Sequence, residues 1–466
     1  MKRWMCPGIV MLALVLLCPL SAAAADGFGR SALAALPEEE DTLWAYDTLL
    51  ADVQAHEKVS VLREEGRSIS QKEVETAYLI LSADHPEIFW LGTAYRGTYV
   101  ANRSAVITPE YSMGADEIDS AQRRIDRAAD ALLLGLPLAS EVETERVLHD
   151  RLTMHIKYEE TEHCHDLYGA LAEGKAVCDG YSRAFQYLLG RLGIESYVVY
   201  GSEHGGGHAW NLVRIDGEYY HTDLTWDDED RHGGTRHLFF NLTEKEIKES
   251  RKIDPMPFAY PACTSTAASF PAVYGGGYVS PFRDVAGDAY YEKPARYAAF
   301  IGAVDTSTSL LRGGEACSRA EAVELLWRMA GYPISAEETM PFTDVPKTCA
   351  YYEAVLWACH AGVVNGVTEQ SFAPQRTVTR AQLLSYLFRY FNLEAEQDSV
   401  TVEYVDEAEV SCPFTDVPET SYSYDAILWA SMNGIARGVT ADTFQPNRTL
   451  SRAHALTFLY RYFIGV

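Results

Sequence analysis

The chain has 466 residues, which is too long for one hydrophobic core and predicts several domains. Hydrophobic residues make up 47% and charged residues 23% of it, a composition that is typical of a folded globular protein. The formal net charge of −27 argues against nonspecific binding to nucleic acid or to anionic lipid, because both are polyanions. An anionic partner therefore requires a local basic pocket.

The first 25 residues have the pattern of an export signal. Lys2 and Arg3 precede an apolar run over residues 9–17, and the small residues SAAAAD follow it. No later stretch is long and apolar enough to cross a bilayer, so we expect a secreted chain without a transmembrane segment. Two of the nine cysteines lie in the signal, and the odd number that remains does not resemble a disulfide framework.

Residues 26–135 are expected to form a mainly helical lead-in region that includes a pair of strands. The stretch Ser70-Gln71-Lys72-Glu73 is a capping box and predicts a helix that ends near Pro86. Residues 97–111 are rich in β-branched and aromatic side chains, which indicates strands.

Cys178 is predicted to lie at the start of an amphipathic helix that Gly193 ends. Unpaired backbone N–H groups and the helix dipole favour a thiolate there, and the thiolate is the reactive form of cysteine. The same N–H groups could hold an oxyanion. This pattern alone leaves two alternatives open, a buried unreactive thiol and a disulfide with Cys164.

The dipeptide Asp216-Gly217 is a strong signal for a two-residue hairpin turn. In that register the numbers of paired residues sum to 433, so that His208 faces Thr225 and Asp223 is the diagonal neighbour of His208. Diagonal Cβ atoms lie about 7–8 Å apart, which allows a hydrogen bond between these side chains. The turn therefore predicts a nucleophile, base and orienting carboxylate in Cys178, His208 and Asp223, provided that the register does not slip. A structural histidine and a capping aspartate are the alternatives.

Two segments, GKAVCDGYSRAFQYLLGRLGI and GGGHAWNLVRIDGEYYHTDLTWDD, resemble the transglutaminase-like (papain-like fold) superfamily. The resemblance implies an α+β catalytic core, here residues 136–254, in which Cys178, His208 and Asp223 are the catalytic residues. It implies a peptide or protein substrate and no cofactor, and it does not fix whether the amide is hydrolysed or cross-linked. No zinc spacing is matched by the cluster His163-Cys164-His165, together with His204 and His221, so no metal is expected and these residues are interpreted as exposed loop residues.

Residues 255–280 are rich in Pro, Gly, Ser and Ala and are predicted to be a linker. The rest of the chain repeats: PFRDV begins at 281, and PFTDV begins at 341 and 413. Each copy reaches a Ser/Thr-Arg-Ala step that predicts a helix start, 38, 39 and 39 residues further on, with the arginines Arg319, Arg380 and Arg452.

These copies resemble S-layer homology (SLH) repeats, with units at 281–340, 341–396 and 413–466 and an acidic linker at 397–412. The resemblance implies an all-α pseudo-threefold bundle that binds secondary cell-wall polysaccharide, often pyruvylated, through the three arginines. A guanidinium suits a carboxylate-bearing sugar, although the arginines could instead only brace the helix starts. The first copy is degenerate, since it lacks the G-x-x-x-x-x-F-x-P loop of the other two.

The sequence thus predicts a multidomain, secreted and wall-anchored cysteine enzyme that acts on amides at the cell surface. The alternative is a catalytically silent scaffold that the repeats hold at the wall. The presence of all three residues of the predicted triad favours the enzyme.

Overall fold

The structure is a computed structural model that describes residues 27–100, 103–203, 205–228, 235–397 and 411–465. The predicted export signal, His204 and most of the predicted acidic linker lie outside the described residues. No helix among the residues described is long and apolar enough to cross a membrane.

The N-terminal region has its own apolar interior, formed by three helices over a three-stranded antiparallel sheet. Ser70 caps the third helix in the predicted capping box. The sheet has the order β1-β3-β2, one strand more than the predicted pair. The elements are α1 (Phe28–Ala34), α2 (Glu40–Gln54), β1 (Ser60–Leu62), α3 (Gln71–Asp84), β2 (Leu91–Val100) and β3 (Ser104–Tyr111).

Helices from both sides of the expected boundary at residue 135 form the next layer. They are α4 (Ile118–Leu133), α5 (Glu141–His155) and α6 (Cys178–Arg191). Helix α4 shares its buried residues with α5 and α6 rather than with the N-terminal region. Two short parallel strands, β4 (Lys157–Tyr158) and β5 (Lys175–Ala176), and a π-helical turn (Tyr168–Glu173) lead into α6.

A four-stranded antiparallel sheet with the order β8-β7-β6-β9 lies against α6. Its strands are β6 (Ser196–Glu203), β7 (Gly206–Ile215), β8 (Glu218–Thr222) and β9 (Arg251–Ile253), and the short helices α7 (Leu224–Asp227) and α8 (Glu244–Ile247) separate the last two. The predicted turn joins β7 and β8, with Asp216 and Gly217 both at positive φ. Paired residues run from Ile215↔Glu218 to Asn211↔Thr222, so the predicted register is confirmed.

The predicted linker, residues 255–280, packs on the core and carries a short helix, α9 (Phe270–Tyr274). The carbonyl of Ala268 accepts a hydrogen bond from buried Asn241 at 3.2 Å, and the Tyr274 hydroxyl accepts one from Arg146 at 3.1 Å. The composition predicted a linker, and aromatic side chains of this segment pack against the core; Phe270, for example, stacks on His237.

The C-terminal region is helical, with one pair of helices in each of its three units. They are α10 (Glu292–Phe300), α11 (Arg319–Met329), α12 (Tyr352–His360), α13 (Arg380–Gln397), α14 (Tyr424–Met432) and α15 (Arg452–Ile464). Before the second helix of each unit, the backbone closes a ring: Cys317 N donates to Leu450 O, Leu450 N to Val378 O, and Val378 N to Cys317 O, at 2.9, 2.9 and 3.0 Å. Each unit therefore meets both others.

The first unit keeps the loop geometry of the other two, although its sequence departs from them. Asp284 accepts hydrogen bonds from two successive backbone N–H groups, those of Leu311 and Arg312, at 2.8 and 2.7 Å. Asp344 and Asp416 do the same in the second and third units. The equivalent positions Arg312, Ala373 and Gln445 all have φ between 56° and 57°.

Helix α5 docks the core on the first unit, and α4 reaches the second unit. Buried Arg151 donates to the carbonyl of Gly302 at 2.8 Å, and His155 Nδ1 hydrogen-bonds the carbonyl of Gly331 at 2.8 Å. Arg127 of α4 adds an ion pair with Glu353 at 2.7 Å. Because one buried apolar cluster contains residues of both regions, the core and the helical units share an interior.

Candidate functional site

Cys178 is the first residue of α6, as predicted, and is a partly buried free thiol. The start of the helix is held against the segment that precedes it, because Val177 N donates to the carbonyl of Cys164 at 2.9 Å. A Cβ atom at Gly180 would lie 2.6 Å from that same carbonyl oxygen. Glycine at 180 therefore allows the first turn of α6 to lie close to the preceding segment. The seven cysteines that the structure describes are all free, so it does not support a disulfide between Cys178 and Cys164.

His208 and Asp223 are brought together by the hairpin. His208, on β7, is 9% exposed, and its Nε2–H donates to Oδ2 of fully buried Asp223 at 2.8 Å. The strand pairing ends at Thr222, so the predicted pair of His208 with Thr225 does not form, and Thr225 lies in α7 instead.

Asp223 caps α7 with the oxygen that the histidine does not use. Its Oδ1 accepts a hydrogen bond from Trp226 N at 3.4 Å, while Oδ2 faces His208. The two alternatives that the sequence left open for Asp223, an orienting carboxylate and a helix cap, are therefore both present. The cap fixes the carboxylate plane, and this aims Oδ2 at the imidazole.

The pKa of His208 is raised to about 9. Burial alone would lower it, but hydrogen bonds to Asp223 and to Cys178, and the charges of both groups, outweigh the burial. Because Nε2 of His208 is hydrogen-bonded to Asp223, Nδ1 is the ring nitrogen that remains available to the sulfur of Cys178. The arrangement favours a charged imidazolium between the Cys178 side chain and the carboxylate of Asp223 at neutral pH.

Arg251 is a part of the site that the sequence did not reveal. From β9 it donates through Nε and Nη2 to Asp223 Oδ2, at 3.1 and 2.8 Å. Its guanidinium is 1% exposed and lies over the rings of Trp226 and Phe239, at 4.9 and 4.6 Å from their centroids. Arg251 thus fixes the same oxygen that orients His208 and offsets its charge. It follows Asp223 by 28 residues on a different strand, and no local motif marks it.

Trp210 and His221 support the histidine from the adjacent sheet positions. The ring of Trp210 stacks on that of His208 at 5.9 Å, and its Nε1–H donates to His221 Nδ1 at 3.0 Å. Burial lowers the pKa of His221 to about 4, so its imidazole is neutral and can accept this bond. His221 and Cys164 were expected in exposed loops, but both are buried, since His221 lies in β8 and Cys164 packs below α6.

The three arginines of the helical units each reach into the loop of the next unit. Arg319 Nε donates to Phe372 O at 2.9 Å, and Arg380 Nε donates to Phe444 O at 3.0 Å. Arg452 closes the circle, since its Nη1 donates to Leu311 O at 2.7 Å and its Nη2 to a carboxylate oxygen of Glu321 at 2.5 Å. Arg319 and Arg380 are buried. Each of them braces a loop of the neighbouring unit rather than the start of its own helix.

A cysteine at a helix start and a buried His–Asp pair on an antiparallel sheet define a transglutaminase-like site. Residues 135–224 match the family model described as the transglutaminase-like superfamily. Residues 341–384 and 413–456 match the S-layer homology domain. The chain therefore contains a transglutaminase-like domain and SLH repeats.

Several of the curated relatives are named as surface proteins. The chain is 32% identical to the "Cell surface protein" of Thermoanaerobacter kivui over 123 residues, covering 26% of this chain and 15% of that protein. It is 32% identical to the "Surface-layer 125 kDa protein" of Lysinibacillus sphaericus over 141 residues, covering 30% and 11% of the two chains. It is 24% identical to the "S-layer protein" of Bacillus thuringiensis subsp. finitimus over 202 residues, covering 41% and 23%.

The chain thus spans less than a quarter of the length of each of these relatives. A solved structure, "Crystal structure of a TGase", is 17% identical, with a TM-score of 0.21, covering 29% of this chain and 45% of that one. With its SLH repeats and these relatives, the chain is a cell-surface, S-layer-associated protein.

Proposed function

We propose that the core is a cysteine enzyme that transfers or hydrolyses the acyl group of peptide or protein amides at the cell surface. The observation that carries this proposal is the buried hydrogen bond between His208 and Asp223 at 2.8 Å, with Arg251 behind it. Cys178, at the start of α6, lies near enough to His208 to help raise the pKa of its imidazole. A silent scaffold has no requirement for a buried histidine held between a thiol and an oriented carboxylate.

In the proposed reaction the Cys178 sulfur attacks the amide carbonyl carbon, and the carbonyl oxygen becomes an oxyanion. Backbone N–H groups at the start of α6 are positioned to stabilise that charge. His208 gives its proton to the leaving amine as the C–N bond breaks, which leaves a thioester. Water or a second amine then attacks the thioester while His208 takes up the proton of the incoming nucleophile. Asp223 holds the imidazole orientation throughout.

We further propose that the helical units form a pseudo-threefold bundle that binds an anionic, pyruvylated wall polysaccharide. The closed backbone ring and the three equivalent aspartate-capped loops support the symmetry. Arg380 is the residue that favours an anionic ligand. Its guanidinium is buried and, among the described residues, has no carboxylate within ion-pair distance. Burial lowers the pKa of Arg380 to about 10, as expected for a cation that lacks a counterion.

Alkylation of the purified full-length protein by iodoacetamide near neutral pH, followed by peptide mass spectrometry, tests the catalytic proposal. Cys178 is expected to react faster than Cys349 and Cys412, which are also partly buried free thiols and serve as internal references. His208→Gln should bring the rate at Cys178 down to that of the references. Equal rates in the unaltered protein would support the scaffold.

Substrate turnover is then tested with glutamine-containing peptides in the presence and absence of a biotinylated amine. Loss of ammonia alone indicates hydrolysis, and incorporation of biotin indicates cross-linking. Cys178→Ala should abolish both, whereas equal turnover in that variant contradicts the mechanism.

Polysaccharide binding is tested by co-sedimentation with isolated cell walls, before and after chemical removal of pyruvate. Arg380→Gln should weaken sedimentation, and Arg437→Gln is the control, because it removes the positive charge of an arginine in the third unit whose backbone carbonyl Arg380 contacts. Sedimentation that depends on neither pyruvate nor Arg380 would contradict the assigned ligand chemistry.

A further inference from the structure

A buried cluster of imidazoles and carboxylates lies one helical turn beyond Asp223. Oδ1 of Asp150, on α5, lies 3.1 Å from Nδ1 of His149 and 2.7 Å from Nε2 of His237. His149, Asp150 and Asp227 are at most 1% exposed, and the His237 side chain is 7% exposed. The proposed reaction uses none of these side chains.

The cluster contains more negative charge than its one arginine can balance. Asp150 Oδ2 pairs with Arg146 at 2.6 Å, and Glu143 pairs with the same guanidinium at 2.9 Å. Asp227 adds a third carboxylate, with Oδ2 3.4 Å from His149 Nε2. Three carboxylates and one guanidinium leave two negative charges, and burying unbalanced charge is costly. Either two imidazolium protons or one divalent cation can supply the balance.

We propose that His149 Nδ1, Asp150 Oδ1 and His237 Nε2 bind a divalent cation of the zinc class. Two imidazoles and one carboxylate are a donor set that zinc uses, with bonds of about 2.0–2.2 Å. Two of the three separations between donor atoms, 3.1 and 2.7 Å, are close to the edge of about 3.3 Å that a tetrahedron with such bonds requires, and the third is at most 4.8 Å. A small opening of the 2.7 Å contact, where a proton now bridges the two atoms, admits the cation.

The groups around these donors have the arrangement that metal-binding histidines need. Asp227 Oδ2 lies 3.4 Å from His149 Nε2, the nitrogen that would not bind the cation and that has no hydrogen bond among the described residues. A carboxylate at this distance raises the basicity of the ring and can become its hydrogen-bond partner when the cation binds. Arg146 holds the outer oxygen of Asp150 in the same way. His237 stacks in parallel on Phe270 at 4.0 Å, so its ring orientation is fixed as well.

The cation would join α5 to the segment that positions Asp223. Asp227 Oδ1 accepts hydrogen bonds from the backbone of Leu238 and Phe239, at 2.8 and 3.0 Å. The carbonyl of Phe239 in turn accepts one from Asp223 N at 3.0 Å. The ion is therefore structural, at a distance from the substrate, and its presence does not depend on the proposed reaction.

Metal analysis and thermal unfolding of the untagged full-length protein test this site. The experiment uses a Cys178→Ala background, so that the reactive thiol cannot bind the metal. We expect one equivalent of zinc after dialysis, a lower Tm in EDTA, and recovery of Tm with Zn²⁺ but not with Mg²⁺. Co²⁺ in place of zinc should give the visible absorption of a four-coordinate site.

Variants distinguish this cluster from adventitious zinc. His237→Gln should reduce the bound metal to background, and Asp227→Asn should weaken zinc affinity by about 10–100-fold. His360→Gln, which changes a histidine on α12, should keep one equivalent of metal. Metal content that His237→Gln leaves unchanged, or a Tm that is insensitive to zinc, would overturn the proposal and leave a purely protonated ion network.

Discussion

Arg151→Met is expected to destabilise the transglutaminase-like core and the helical units together. Nη1 of this fully buried arginine donates to the carbonyls of Leu132 and Leu134 at 2.7 and 2.8 Å, and Nη2 donates to that of Gly302 at 2.8 Å. Methionine fills most of the volume but provides no donor, so three carbonyls lose the arginine. Two of these contacts, to Leu132 and Gly302, are buried, and the third, to Leu134, is partly exposed. The carbonyl of Gly302 keeps only a longer hydrogen bond from the Tyr332 hydroxyl at 3.4 Å.

The expected cost follows from these three contacts. An unsatisfied buried polar group costs about 1–3 kcal/mol, so the two buried contacts would cost about 2–6 kcal/mol, and the partly exposed carbonyl of Leu134 adds less. Methionine avoids the desolvation of a buried guanidinium, which is the effect that lowers the pKa of Arg151, and this offsets part of the loss. We therefore expect the free energy of unfolding to fall by about 3–5 kcal/mol.

Differential scanning calorimetry measures this effect. At about 2–4 °C per kcal/mol, Tm should fall by at least about 6 °C, in one transition for both regions. Arg191→Met is the control, because Arg191 pairs at 2.7 Å with the exposed Asp130, and such a surface pair contributes about 0–1 kcal/mol. Equal shifts for the two variants, or a second transition that the change leaves in place, would refute a shared interior.

Three further outcomes are expected. Arg251→Gln removes the cation that offsets Asp223, so the pKa of His208 measured by NMR titration should rise above its wild-type value; an unchanged or lower pKa contradicts the role given to Arg251. Burial raises the pKa of Glu145 to about 8 from an ordinary 4.5, so its contribution to stability is full below pH 4.5 and is lost as the pH rises through 8. Glu145→Gln should therefore reduce the fall in Tm between pH 6 and pH 8, whereas a parallel fall would show that Glu145 does not titrate there. Asp284→Asn and Asp344→Asn should each cost about 1–2 kcal/mol in urea unfolding, and a much smaller loss for Asp284→Asn would show that the first unit does not use its cap.

The parts of the site that the sequence predicted depend on short-range rules. The start of α6 follows from apolar periodicity, and the His208–Asp223 pair follows from one two-residue turn. The hairpin register was correct because a two-residue turn fixes every pair that follows it. The prediction that His208 faces Thr225 was wrong because Asp223 caps helix α7 and the strand therefore ends at Thr222.

The parts that the sequence did not predict depend on contacts between distant segments. Arg251 reaches Asp223 from the opposite edge of the sheet, and Asp150 meets His237 across 87 residues. In the first helical unit the familiar loop residues are replaced, yet Asp284 keeps the backbone in place, because the cap binds N–H groups and not side chains. A pattern of side chains cannot reveal an equivalence that resides in the backbone.

Helix α5 connects the two proposed activities and so determines how they can be separated. One face carries Arg151 and His155, which dock on the helical units, and another carries Glu145 and His149, which lie behind the segment of Asp223. Deletion of residues 281–466 would expose the first face, so loss of activity in such a truncation would not show that wall binding assists catalysis. Substitutions at Cys178 and Arg380, which lie outside this helix and on different domains, can show whether anchoring and catalysis are independent.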